Sequence, residues 1–177
     1  MATVCFGQSP QAALYTPPSS EVYVGYITTF PDYGPEWNSF RFNGVEASFT
    51  RNLRPHWAVA ASFNGLYGST YHVKQYSALL GPRYNVLTGN FRPFIYGQVG
   101  YAHQSSNGMY ASDHHPPLAP GTTDNESGLS YRMGGGADVQ LGTHVFWRIV
   151  QWDFQPQPWG RDTPWYENFS SGIGFRF

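Results

Sequence analysis

The chain has 177 residues, enough for one domain, with 18% aromatic and only 12% charged residues and a formal net charge of −1. That balance, with Lys74 the only lysine, excludes the basic surface of a nucleic-acid-binding protein. No run of about 18 apolar residues occurs, which excludes a membrane-spanning helix, and a single cysteine, Cys5, excludes an intrachain disulfide.

Residues 1–19 stand apart from the rest. Cys5 and Gly7 are small residues spaced as in a signal-peptidase site, with Gln8 following. The basic and apolar stretches that normally precede such a site are missing. The expectation is a signal-peptide remnant over residues 1–7, with a disordered N-terminus or a lipid-modified Cys5 as the other readings. Residues 20–177 then form a single β-domain.

From residue 21 onward, eight segments alternate with period two, the signature of strands with one apolar face. The first covers 21–30, with Val22, Val24 and Tyr26 on one face. The second covers 40–50, with Val45, Ala47 and Phe49 out and Gly44, Glu46 and Ser48 in. Phe40 and Phe42 have the other parity, which predicts a bulge near Asn43-Gly44. The third covers 57–67, with Trp57, Val59, Ala61 and Phe63 out. The fourth covers 75–86, with Tyr76, Ala78, Leu80 and Tyr84 out and Ser77, Gly81 and Arg83 in.

The fifth covers 92–103, with Ile95, Val99 and Tyr101 out and Tyr96, Gln98 and Gly100 in. The sixth covers 129–141, with Tyr131, Met133, Ala137, Val139 and Leu141 out and Arg132, Gly134, Gly136, Asp138 and Gln140 in. The seventh covers 145–154. Arg148 shares parity with Val150 while Gln151 and Asp153 have the other, so a second bulge is expected near Ile149-Val150. The last covers 169–177 and alternates bulky Phe169, Ile173, Phe175 and Phe177 with small or charged residues.

The connections alternate in length. Residues 51–56, 87–90 and 142–144 are tight turns containing Asn, Pro or Gly. Residues 31–39, 68–74, 104–128 and 155–167 are longer. Outer-membrane barrels have short periplasmic turns and longer extracellular loops. The parity therefore predicts an all-β, eight-stranded antiparallel up-and-down transmembrane β-barrel, with both termini periplasmic and localisation to a bacterial outer membrane. Aromatic girdles are expected from Trp37, Tyr67, Tyr71, Trp159, Trp165 and Tyr166 near the loop bases and from Trp57 and Phe91 near the turns.

Four stretches carry a family resemblance: Gly44-Val-Glu-Ala-Ser-Phe49 with 57–68, Leu80-Gly-Pro-Arg-Tyr84, Met133-Gly-Gly-Gly-Ala-Asp138 running into 148–153, and Ser171-Gly-Ile-Gly-Phe-Arg-Phe177. They resemble the outer membrane protein beta-barrel domain family, small OmpA/OmpX-type barrels common in acidobacterial and related Gram-negative genomes. The resemblance implies fold and compartment, not a biochemical activity. It also implies that Ile173, Phe175 and Phe177 act as a C-terminal signal to the barrel assembly machinery. The expected surroundings are outer-membrane lipid and lipopolysaccharide, for a monomer with no nucleic-acid partner, no cofactor and no metal.

By parity, the inward charges are Glu46, Arg83, Arg132, Asp138, Arg148, Asp153 and Arg176. An eight-stranded barrel is just wide enough for its own side chains. Such charges must pair, so a filled polar core is expected, with a narrow low-conductance pore as the alternative. Gly134, Gly135 and Gly136 are expected to relieve crowding or curve the sheet.

Two further constellations bear on chemistry. His103-Gln-Ser105 has the His-x-Ser spacing of lipid A deacylases, with Glu126 the candidate acid, which raises a lipid A-modifying hydrolase as an alternative function. His114-His115 with Asp113, Asp124 and Glu126 reads as a solvated loop tip, without the spacing of a structural zinc site. A soluble lipocalin-like carrier is the remaining alternative.

Overall fold

The computed structural model describes residues 20–32, 41–68, 73–86, 89–107, 123–158 and 165–177. Eight strands occupy them: β1 (Ser20–Asp32), β2 (Phe42–Asn52), β3 (Trp57–Gly68), β4 (Val73–Asn85), β5 (Phe91–Asn107), β6 (Thr123–Gln140), β7 (Val145–Pro156) and β8 (Trp165–Arg176). Each pairs antiparallel with the next, and β8 returns to β1 with Val24 opposite Ile173, so the barrel is closed. Closure leaves no sheet edge, which is what allows strands to cross a bilayer.

The three short turns and the two ends of the barrel chain lie at one end. The Ser20 amide donates to the Phe177 carbonyl, the Arg176 amide to His144, and the Asn85 amide to His56. Gly89 takes a left-handed φ of 63°, which suits glycine in so tight a turn. The remaining connections leave from the opposite, loop end. There β5 and β6 run further than the sequence predicts and pair out to Asn107 and Thr123.

The alternation sorts side chains as expected. Val24, Val45, Leu80, Ile95, Val99, Met133 and Ile173 are exposed on the outer face, Ile95 at 64%. Val59 and Val139 are half-buried there. The predicted bulge in β7 is present: the β7–β8 register shifts between Arg148 and Gln151, leaving Ile149 and Val150 both exposed and turning Arg148 and Gln151 both inward.

The predicted bulge at Asn43-Gly44 is absent. β2 pairs without interruption there on both sides, and Phe42 simply faces inward with Gly44 and Glu46. Tyr166 corrects a second expectation. It is no girdle residue but lies buried in the lumen, where its hydroxyl donates to Gln104 at 3.1 Å. With Ile27, Phe42, Leu66 and Val73 it forms an apolar cluster inside the loop end. Trp37, Tyr71 and Trp159 fall outside the described residues, while Trp57, Tyr67, Phe91 and Trp165 are exposed on the outer face.

Inward rings crowd against glycines. Phe146 faces its register partner Gly174, where a Cβ would sit 2.1 Å from the ring. Phe94 likewise covers Gly136, where a Cβ would meet it at 2.7 Å. The missing side chains make room for rings that fill the barrel toward its turn end.

Candidate functional site

The lumen gathers the chemistry of this chain. All seven predicted inward charges are buried there, Arg132 at 1% exposure and Asp138 at 0%. Parity reasoning omitted an eighth, Glu21, although it alternates with Val22 and Val24. Glu21 is buried and accepts from Arg176 Nε at 2.9 Å. Four arginines therefore face four carboxylates.

They form two groups. Toward the turn end, Asp138 Oδ1 accepts from Arg148 Nε at 2.9 Å. Its Oδ2 accepts from Arg83 Nη2 at 3.0 Å and Arg176 Nη2 at 3.3 Å. Glu21 adds a 3.7 Å contact to Arg83. One carboxylate thus organises three guanidiniums, whose planar forks suit several acceptors at once. The guanidiniums are interleaved with rings. Arg83 stands 3.8 Å over Phe94, Arg148 4.1 Å over Tyr23, and Arg176 4.1 Å over Phe146. Stacking against rings lets like charges share a narrow space without facing one another bare.

Further toward the loops the balance reverses. Arg132 alone faces Glu46 at 3.1 Å and Asp153 at 3.9 Å. Its remaining donors reach Gln155 Oε1 at 3.1 and 3.3 Å. Asp153 also accepts from the Tyr96 hydroxyl. Three guanidiniums stand with two carboxylates on one side and one with two on the other, and Gln151 links the two groups. Its Oε1 accepts from Arg148 at 2.7 Å, and its Nε2 reaches Glu46 at 3.0 Å and Asp153 at 3.0 Å. Gln151 was legible only as an inward residue; its bridging role depends on the β7 bulge that sets it beside Arg148. A void about one water in size remains, lined by Glu46, Ser62, Arg83, Gln98, Arg148 and Gln151.

The hydrolase candidates are not brought together. His103 and Ser105 share the outer face of β5, but Glu126 sits opposite Gln104, whose side chain turns into the barrel. Directly opposed residues of an antiparallel pair share a face, so Glu126 lies on the other side of the sheet from His103. His103 instead meets Ser127, with Nδ1 2.6 Å from its hydroxyl. His114, His115 and Asp113 fall outside the described residues. Among the described residues no three His, Cys, Asp or Glu side chains gather as metal ligands. Ile173, Phe175 and Phe177 line the outer face of the last strand and are all exposed.

Several solved structures share this architecture. Neisserial surface protein A superposes with a TM-score of 0.71 at 10% identity, over 92% of this chain and 100% of that one. Ail, the attachment invasion locus protein of Yersinia pestis, gives 0.62 at 15% identity over the same shares, in a complex with the heparin analogue sucrose octasulfate. The N-terminal β-barrel domain of Pseudomonas aeruginosa OprF gives 0.53 at 16% identity, again over 92% and 100%. The fold is that of the small, OmpA/OmpX-type outer-membrane barrels. With its apolar outside and ion-paired inside, this chain has the architecture of an outer-membrane β-barrel. No family model matches it, and no curated protein matches it either. The likeness to these barrels is one of architecture.

Proposed function

We propose that this chain is an outer-membrane barrel that serves as a plugged, rigid anchor, with its loop-end segments meeting the cell's surroundings. The observation that carries this reading is the lumen network. Four arginines and four carboxylates, buried and each within 4 Å of an opposite charge, occupy the cross-section where a pore would need free water. The rings of Tyr23, Phe94 and Phe146 fill the space between them. Opening such a core would leave charges unpaired at low dielectric, which is strongly unfavourable.

On this reading the short turns and both barrel ends face the periplasm. The longer connections, and the β5–β6 ribbon that pairs out to Asn107 and Thr123, face outward. Ile173, Phe175 and Phe177 serve the barrel assembly machinery. The folded monomer sits among outer-membrane lipid and lipopolysaccharide. Ail is an attachment protein whose crystal structure holds a heparin analogue. That precedent fits a surface role for this architecture without fixing a ligand for this chain.

Purified, refolded protein in a planar bilayer tests the plug. The expected result is a silent membrane under applied voltage, with folding verified by faster migration of the unboiled sample on a detergent gel. Steady unit conductance from the folded protein would overturn the plug and favour the narrow pore.

A further inference from the structure

The turn end carries a charge pattern that the plugged barrel does not explain. Its three short turns, 53–56, 86–90 and 141–144, contain no Asp or Glu. The exposed residues there include Arg51, Arg54, His56 and His144. The β2–β3 turn concentrates three of these four in six residues, Arg51-Asn-Leu-Arg-Pro-His56, immediately before Trp57.

The geometry of that turn is fixed. The amides of Leu53 and Arg54 donate to the Trp57 carbonyl at 2.9 and 3.0 Å, and the Trp57 amide donates back to Arg54 at 3.2 Å. Arg51 Nη1 donates to the Ser20 hydroxyl at 2.8 Å, which holds its guanidinium on the outer face beside β1. His56 Nδ1–H donates to the Asn85 carbonyl at 2.9 Å. Its ring stacks on Tyr84 at 5.6 Å, and Trp57 meets the same tyrosine edge-on at 5.1 Å. Leu53 is 65% and Trp57 51% exposed in the same stretch.

Arg54 sits in the turn beyond Trp57 and Arg51 lies opposite Val59, just inside it; the pair thus brackets an interfacial tryptophan, the depth at which headgroups lie. Leu53 and Trp57 offer apolar contact at such a site, and Arg51 and Arg54 the charge; Arg pairs with phosphate through its planar fork. We propose that the β2–β3 turn binds the headgroups of anionic phospholipids in the leaflet at the turn end. The proposal rests on the membrane placement argued above. It adds that this leaflet is met by lipid-selective contacts rather than by a neutral girdle.

The test uses nanodiscs holding equal amounts of phosphatidylglycerol and phosphatidylcholine, with native mass spectrometry of the released protein. Wild type is expected to retain phosphatidylglycerol over phosphatidylcholine about fivefold, the scale of one basic residue at a charged membrane surface. The Arg51→Gln/Arg54→Gln variant brings the ratio close to one, and high salt present before release does the same to wild type. Arg41→Gln/Lys74→Gln, at the loop end, leaves the ratio as in wild type. Equal retention of both lipids by wild type overturns the proposal and leaves the membrane barrel standing, as does a selectivity that survives the turn-end variant or is lost in the loop-end one. Failure of the folded protein to enter nanodiscs overturns both.

Discussion

Replacing Asp138 by Asn is expected to destabilise the barrel by about 3–5 kcal/mol, the cost of breaking a buried ion pair from one side. Asp138 is fully buried and takes hydrogen bonds from Arg83, Arg148 and Arg176. The amide keeps the shape and loses the charge. Arg176 and Arg83 then share only Glu21, at 2.9 and 3.7 Å, and Arg148 keeps the Gln151 side-chain oxygen. Urea titration of the vesicle-inserted protein reads the change as a lowered midpoint at unchanged slope. Adding Arg148→Gln to Asp138→Asn should recover part of the loss, because the two residues share one network and their effects do not add. A cost under about 1 kcal/mol would place these charges in water, as for an exposed pair, and would favour the pore.

The second large effect lies on the other face. Met133 is 57% exposed and stands across from Gly97, midway along β5 between Phe91 and His103. Met133→Arg is expected to cost about 2–4 kcal/mol, the penalty for a guanidinium at the bilayer midplane of a barrel. On a water-facing surface the same change would stay within about 0.5 kcal/mol. The same urea titration in vesicles decides between them. The contrast is useful because the substitution makes the outside more polar, which improves a soluble protein and damages a membrane one.

Much of this architecture was legible in the sequence, for a physical reason. A closed barrel in lipid has one apolar face on every strand, so the period-two signal repeats eight times without a buried strand to blur it. The β7 bulge was legible because Arg148 and Gln151 cannot both face inward on a regular strand, and neither belongs in lipid. The bulge expected in β2 came from assuming that large apolar residues face out. Phe42 breaks that assumption, as do Tyr23, Ile27, Phe94, Phe146 and Tyr166, all buried within the lumen. A barrel this narrow is filled by rings as well as charges, and parity alone does not distinguish a ring against lipid from a ring over a glycine. The glycines carried the missing signal: Gly174 and Gly136 oppose Phe146 and Phe94 in register. What the sequence could not supply was partnership across the lumen. Strand register fixes which face a side chain takes and which neighbour lies beside it. That Arg132 meets Glu46, 86 residues away, depends on how the sheet closes.

The central claim is that aliphatic side chains face acyl chains while the charged ones face a shared interior. Single nitroxide labels on cysteines placed at Val24, Val99 and Ile173, with Cys5 changed to Ser and the protein in vesicles, test it directly. The account predicts labels open to oxygen and shielded from a water-soluble nickel chelate at all three sites. Labels shielded from both reagents, as in a dry protein core, or open to the chelate, as in water, would contradict it.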